Sequence, residues 1–431
     1  MQRNKEFGFF TTPSKLILST KPFKLKYAKH SNDCKIHSNR LDLILFFRCN
    51  TIQVLWKGMR MRLYKQALTT TWELFGFSRH FIFFVFVILF FMVHSIFTVT
   101  TLFCDFILFP KFRKVKVKAP VFIIGHPRSG TTFLHHLFTQ AGDMAAFTTW
   151  QLLFPAITAR KIVKPIVRFL TRKNPVVLIP EEAGHQIALD TVEEDEMLFL
   201  HNHDTQFVII GTPLGFAEKD YREIRFHDLQ PRKKRIRSAR FLKSIFQRHI
   251  YYTGKTQIFA QTHFSTHRIK TLLEIFPDAK FIYMHRMPEE TLPSYLSLNY
   301  NILDILWGMH RFTEKQKANY YQRRYKASLE LYRYFYDLWH NNEIDKERVL
   351  IVDYKKLRKE LMPMFDQIVA FTGIKPSEEL RNAVAEQAQK QKSYQRKHQV
   401  KTLLDFSIDN ERVKKDFAFL YTDDPFGLLK N

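Results

Sequence analysis

Residues Val121 to Phe138 read VFIIGHPRSGTTFLHHLF, and their types and spacing are those of a phosphate cradle. Val121 to Ile124 are apolar with β-branched members, the pattern of a short strand buried in a parallel sheet. Gly125 ends the run, and Arg128-Ser129-Gly130-Thr131-Thr132 lead into Phe133, Leu134, Leu137 and Phe138, which share one helical face. In such a strand–turn–helix unit the turn's N–H groups and the helix N-terminus converge on one anion. A nucleoside triphosphatase loop, GxxxxGK(S/T), adds a lysine that reaches the outer phosphates. Gly125 and Gly130 have that glycine spacing, but Thr131 occupies the lysine position and the cation comes earlier, at Arg128. Taken alone, the unit also fits a variant kinase loop or a turn that binds nothing.

Two further segments aim chemistry at the same place. Ile269, Leu272, Leu273 and Phe276 follow helical spacing, and Ala279 to Met284 then read as a buried strand that leads to Arg286. Arginine suits an anion because its planar fork makes charge-assisted, bidentate hydrogen bonds to phosphate oxygens. Gln257 to Gln261 form another short strand, so His263 is expected at its carboxyl end. In open α/β sheets ligands bind at that edge, where the loop and Arg286 also lie.

These segments together resemble the sulfotransferases. PRSGTT resembles their 5′-phosphosulfate loop, and Arg286 with Ser294, within PDAKFIYMHRMPEETLPS, resembles their 3′-phosphate motif. Met287 stands where many members have aspartate. QIFAQTHF is similar to the KTH segment of cytosolic sulfotransferases, whose histidine is the general base, with Gln261 in place of the lysine. The resemblance runs from about Ala119 to about Asp424. It implies a P-loop-type, three-layer α/β/α domain with a central parallel sheet. It also implies 3′-phosphoadenosine 5′-phosphosulfate as co-substrate, held by Arg128, Ser129, Gly130, Thr131, Thr132, Arg286 and Ser294. Arg348 to Lys356, RVLIVDYKK, reads as a fourth buried strand, and the resemblance sets Tyr354 at its end against the adenine.

The implied reaction moves a sulfuryl group to an acceptor hydroxyl, on a carbohydrate or a lipid. His263, whose ordinary pKa is near neutrality, is the expected base, and Arg128 is expected to meet the charge that develops in transfer. No metal is called for, because fixed cations and N–H donors do that work. Some members use glutamate as the base. The nearest local match to that position, TTWQLLFP, has Gln151, which cannot take a proton. The acidic run Glu193-Glu194-Asp195-Glu196 is a rival for the base, though it reads better as a solvated helix face than as part of the acceptor site. Arg396, Lys397 and His398 lie in a tail resembling the bacterial-type branch; they could approach the 3′-phosphate, but read better as a solvated basic stretch.

The elements that carry this site follow a different kind of segment. Phe81 to Cys104 contains no charged residue. As a helix it would reach about 36 Å, enough to cross a hydrocarbon core of ~30 Å. Lys57, Arg60, Arg62, Lys65 and Arg79 precede it, and Lys111, Arg113, Lys114, Lys116 and Lys118 follow it, so the positive-inside rule barely discriminates. The expectation is membrane lipid as a partner through residues 81–104, as a span or a shallow hairpin. The catalytic domain would then be cytoplasmic, with a lumenal placement as the alternative. The chain divides into a poorly patterned stretch 1–58, an attachment segment 59–118 and a catalytic domain 119–425, with Met59 or Met61 as a candidate natural start.

The 67 Lys and Arg against 41 Asp and Glu give a net charge of +26. Nucleic-acid binding explains such a charge, but a membrane with anionic headgroups explains it as well, and the expected donor is itself polyanionic. PRKKRIRSARFLK at 231–243 fits a solvated or membrane-facing helix. Cys34, Cys49 and Cys104 provide no disulfide framework for the catalytic domain. Two other classes stay open: a nucleotide-dependent kinase, which calls for a lysine in the loop, and a membrane-bound module that binds anions or nucleic acid.

Overall fold

The computed structural model describes residues 59–392, 401–422 and 426–428. The expectations for residues 1–58, and for Arg396, Lys397 and His398, lie outside the described residues. In chain order the first elements are helices α1 (Met59–Phe75) and α2 (Arg79–Leu108), strand β1 (Val121–Gly125), helices α3 (Thr131–Thr139) and α4 (Ile157–Leu170), and the hairpin strands β2 (Val177–Ile179) and β3 (Ile187–Ala188). Then come α5 (Arg232–Thr253), β4 (Phe259–Gln261), β5 (Lys280–His285), α6 (Pro288–Trp307), α7 (Glu314–His340), β6 (Val349–Asp353), α8 (Tyr354–Lys359) and α9 (Leu361–Thr372).

The four segments read as buried strands form one parallel sheet in the order β4-β1-β5-β6. β6 is shorter than expected for a local reason. The Asp353 carboxylate accepts from the Lys356 N–H at 2.8 Å and caps α8, so Tyr354 opens a helix rather than extending the strand. Alternation along the strands divides the core into two layers. Phe122 and Ile124 of β1, with Phe281 and Tyr283 of β5, pack against α5 and α7 through Leu242, Phe246 and Phe335. Val121, Ile123, Ile282 and Met284 point the other way, onto Leu134 and Phe138 of α3 and Phe365 of α9. The result is the expected three-layer α/β/α arrangement with a central parallel sheet.

α2 covers Phe81 to Cys104 and extends it at both ends; among the described residues it is the one helix long and apolar enough to cross a membrane. It also belongs to the domain. Phe84 and Ile88 share a core with Leu63 and Ala67 of α1 and with Trp307 of α6, while Thr98, Thr101, Leu102 and Asp105 are buried farther along. Asp105 is fully enclosed. Its carboxylate meets Arg248 of α5 at 2.8 Å and accepts from the N–H groups of Ile157 and Thr158 at 2.9 and 2.8 Å, at the start of α4.

Candidate active site

The carboxyl ends of β1, β4, β5 and β6 lie along one edge of the sheet, because the strands are parallel and in register. Arg128, His263, Arg286, Ser294 and Tyr354 follow those ends and line a single cavity of about 780 Å³, together with Gly130, Thr131 and Thr132.

Two glycines permit the loop. Gly125 has φ +134°, and a Cβ there would lie 2.6 Å from the Met284 carbonyl oxygen. Gly130, at φ +96°, caps α3, and a Cβ there would lie 2.6 Å from the Tyr354 ring. Arg128 is itself held at φ +70°, a backbone arrangement that costs a non-glycine residue about 1–3 kcal/mol and collects at functional sites. The Ser129 hydroxyl is buried with no hydrogen-bond partner. A buried donor beside the open N-terminus of α3 fits a loop that completes its hydrogen bonds on an anion.

The two motifs are physically joined. Arg128 Nε donates to the Ser294 hydroxyl at 3.0 Å, and Arg286 Nη1 donates to the Arg128 carbonyl at 3.0 Å. The Arg286 guanidinium lies 4.1 Å from the centre of the Tyr354 ring and donates through Nε to Glu290 at 3.0 Å. Tyr354 therefore closes one wall of the loop, between Gly130 and Arg286.

On the opposite side the acidic run corrects the sequence reading. Glu193, Asp195 and Glu196 are at most 2 % exposed, and their run is no solvated face. Each carboxylate has a partner, Glu193 beside the β2–β3 hairpin and the other two at the end of β4 or in the turn after it. Glu193 meets His185 at 3.1 Å, Asp195 accepts from the Gln261 N–H at 2.8 Å, and Glu196 accepts from the Ser265 hydroxyl at 2.7 Å. Glu194 faces the cavity. Its Oε1 accepts from Gln261 Nε2, which also donates to the Thr131 and Thr132 hydroxyls, so Gln261 ties the loop to this carboxyl.

His263 Nδ1 lies 3.3 Å from Glu194 Oε2, close but off the line of a hydrogen bond, and both atoms lack a partner. Burial holds the His263 imidazole down to about 3, helped by its neighbours His126 and His185. Burial also pushes the Glu194 carboxyl up to about 8, with Glu193 and Glu196 adding to the rise against His185. At neutral pH both groups are thus mainly uncharged, ready to exchange a proton rather than fixed as an ion pair. Glu194 was set aside as solvated because its burial depends on contacts with β4 and the following turn, which lie far along the chain. The only local trace is four carboxylates in a strongly basic chain.

The far wall of the cavity was also absent from the sequence reading. Phe83, Phe84, Val87, Ile88 and Phe91 of α2 line it, with Leu63 and Tyr64 of α1 and Ile302 and Trp307 of α6. One end of the cavity is therefore cationic and rich in hydrogen-bond donors, and the other is apolar.

Comparison with known proteins bears on the family and the fold. Two relatives, the omega-hydroxy-beta-dihydromenaquinone-9 sulfotransferases of Mycobacterium bovis and Mycobacterium tuberculosis, are each 27 % identical over 183 residues, 42 % of this chain. The match covers 45 % of their length, so the chain spans about half of the curated relatives it matches. The crystal structure of sulfotransferase STF1 from M. tuberculosis H37Rv superposes with a TM-score of 0.60 over 83 % of this chain and 92 % of that one, at 16 % identity. STF9 from Mycobacterium avium gives 0.59 over 77 % and 83 %, also at 16 % identity; at that identity the likeness is one of fold. Residues 120–379, more than half of the chain, match the sequence profile of the sulfotransferase family. The chain belongs to the sulfotransferase family.

Proposed function

We propose that this protein transfers a sulfuryl group from 3′-phosphoadenosine 5′-phosphosulfate to the hydroxyl of a lipid. The observation that carries the reading is the meeting of Arg128, Arg286, His263 and Glu194 in one cavity whose other end is apolar. The buried Ser129 hydroxyl and the left-handed turn at Gly130, which opens α3, suit an anionic donor. Ser129, Gly130, Thr131 and Thr132 would hold its 5′ end, Arg286 and Ser294 its 3′-phosphate, and Tyr354 its adenine side. The donor supplies an activated sulfuryl group and a stable leaving group.

In the reaction, an acceptor oxygen forms a bond to sulfur as the bond from sulfur to the 5′-phosphate oxygen breaks, and 3′,5′-adenosine bisphosphate leaves with the electron pair. The acceptor's proton passes to the neutral imidazole of His263. Glu194 beside it, once ionised, stabilises the imidazolium and raises its basicity from the low value that burial imposes. Arg128 stabilises charge on the transferring oxygens and the leaving group. Positioned donors and bases of this kind contribute roughly 10²–10³-fold each.

The apolar wall favours a lipid over a carbohydrate acceptor, because sugar hydroxyls would lose hydration against Phe84, Ile88 and Phe91 with nothing to replace it. The name of the mycobacterial relatives, omega-hydroxy-beta-dihydromenaquinone-9 sulfotransferase, points to the same acceptor class. Membrane association through α2 fits such an acceptor.

Donor binding is tested by titrating 3′,5′-adenosine bisphosphate and ATP. Tight bisphosphate binding that falls roughly 10- to 100-fold in Arg286→Ala is expected; equal preference for ATP would favour the kinase reading. Incubating ³⁵S-labelled donor with total lipid and total glycan fractions tests the acceptor, and label confined to glycans would overturn the lipid assignment.

A further inference from the structure

α2 has two faces that run its full length. Phe84, Ile88, Thr98, Leu102 and Asp105 are buried against the domain. Ile82, Phe86, Leu89, Val93, Ile96 and Ile107 follow helical spacing on the other side and are each at least 41 % exposed. A helix that crossed a bilayer along its normal would carry its domain contacts into hydrocarbon with it. Those contacts include the Asp105–Arg248 ion pair and the Asp105 cap on α4, near one end of the helix. The other end is fastened too, through Phe84 and Ile88 in the core shared with α6. Pinned to the domain at both ends, α2 presents a long, uncharged, mostly apolar stripe sideways, with the exposed Thr100 between Ile96 and Ile107.

The neighbouring helix α4 has the same character. Arg160 and Val167 are buried, while Ile162, Ile166, Phe169 and Leu170 are each more than half exposed. Lys161, Lys164 and Arg168, spaced i, i+3, i+7, form a third face. With Pro165 and Tyr252 of α5 they line a cavity of about 470 Å³ whose lining contains no carboxylate. The Lys161 ammonium lies 4.7 Å from the centre of the Phe109 ring, just beyond the exposed Ile107 and Leu108, so this basic cavity borders the end of the α2 stripe. Lys111, Arg113, Lys114, Lys116 and Lys118, all exposed, continue the positive charge. Exposed apolar side chains flanked by an uncompensated basic cavity match an anionic leaflet, with acyl chains under the stripe and headgroup phosphates among the cations.

We propose that the protein lies on one leaflet as a monotopic membrane protein, with α2 and α4 in the plane of the interface and Lys161, Lys164 and Arg168 gripping phospholipid headgroups. Phe83 and Phe91 line the acceptor cavity from the helix that bears the stripe. The cavity therefore takes its acceptor from that leaflet, a clause that rests on the lipid reading; the docking geometry itself does not.

The full chain, with Cys34, Cys49 and Cys104 changed to serine, is added to preformed phosphatidylcholine vesicles containing about one third phosphatidylglycerol. Single cysteines are placed at the exposed flanks of α2, as Glu73→Cys and Lys114→Cys, and treated with a membrane-impermeant maleimide. Both positions are expected to label to the same extent without detergent. Protection of either one until detergent is added means that α2 crosses the bilayer and overturns the proposal. In a second arm, the triple variant Lys161→Glu, Lys164→Glu, Arg168→Glu is expected to lose ~30-fold or more in partitioning to these vesicles, with 3′,5′-adenosine bisphosphate binding unchanged. Unchanged partitioning removes the headgroup site. The bisphosphate titration reads the donor site separately, so failure of the docking geometry is distinct from failure of the sulfotransferase reading.

Discussion

At the scale of single residues, the pair His263 and Glu194 carries the sharpest expectation. His263→Ala should lower turnover roughly 10²–10³-fold while leaving bisphosphate affinity unchanged, and turnover near that of the native protein would remove it as the base. Because burial raises the Glu194 carboxyl to about 8, activity that needs its carboxylate should rise as pH passes through that value, and Glu194→Gln should abolish the rise. Stability moves in the opposite sense. Between the usual carboxylate range and about 8, the native state holds a proton that the unfolded chain has lost, so Glu194 destabilises progressively with rising pH. Its side chain keeps 16 % exposure, so the gain for Glu194→Gln at pH 9 should be about 1–2 kcal/mol, read as a shift in urea midpoint. The loop from Gly125 to Thr132 was legible because backbone geometry demands its two glycines. Glu194 was not, because its partners His263 and Gln261 come to it only through the fold.

At the scale of elements, the sheet was readable and the sidedness of α2 was not. Short, mostly apolar runs bounded by Gly, Pro and charged residues marked all four parallel strands, and the absence of charge from Phe81 to Cys104 marked a long apolar helix. The sequence places Asp105 as the end of that run. In the fold it is an internal tether, holding Arg248 and the first N–H groups of α4. Removing one member of a buried ion pair leaves the other uncompensated. Asp105→Ala should therefore cost about 3–5 kcal/mol in denaturant unfolding. The double variant Asp105→Leu, Arg248→Met should recover much of the loss; an equally large loss in the double variant would assign the cost to the cap on α4 instead.

At the scale of the whole molecule, the charge of +26 is read less well by its total than by its placement. The exposed face of α5 carries Arg232, Lys233, Arg237 and Arg240, while Arg160, Arg248 and Arg324 are fully buried. Histidines are divided in the same way. Burial holds His126, His135, His263 and His267 near 3, so the unfolded chain binds protons below pH 6.5 that the native state refuses. The buried carboxyls Glu194, Asp195 and Glu196, all raised by burial, offset part of this. Stability should fall as pH drops below 6.5, and a urea midpoint that stays flat from pH 7 to 4.5 would contradict that balance. The shared wall between α1, α2 and the cavity has a practical corollary. Trimming the chain at residue 118 to obtain a freely soluble enzyme would strip Leu63, Phe84 and Ile88 from the acceptor's surroundings and leave Arg248 without its counter-ion. A shortened protein of that kind would be a different catalyst, if it folded, and an inactive preparation of it would say nothing about the chemistry of the intact one.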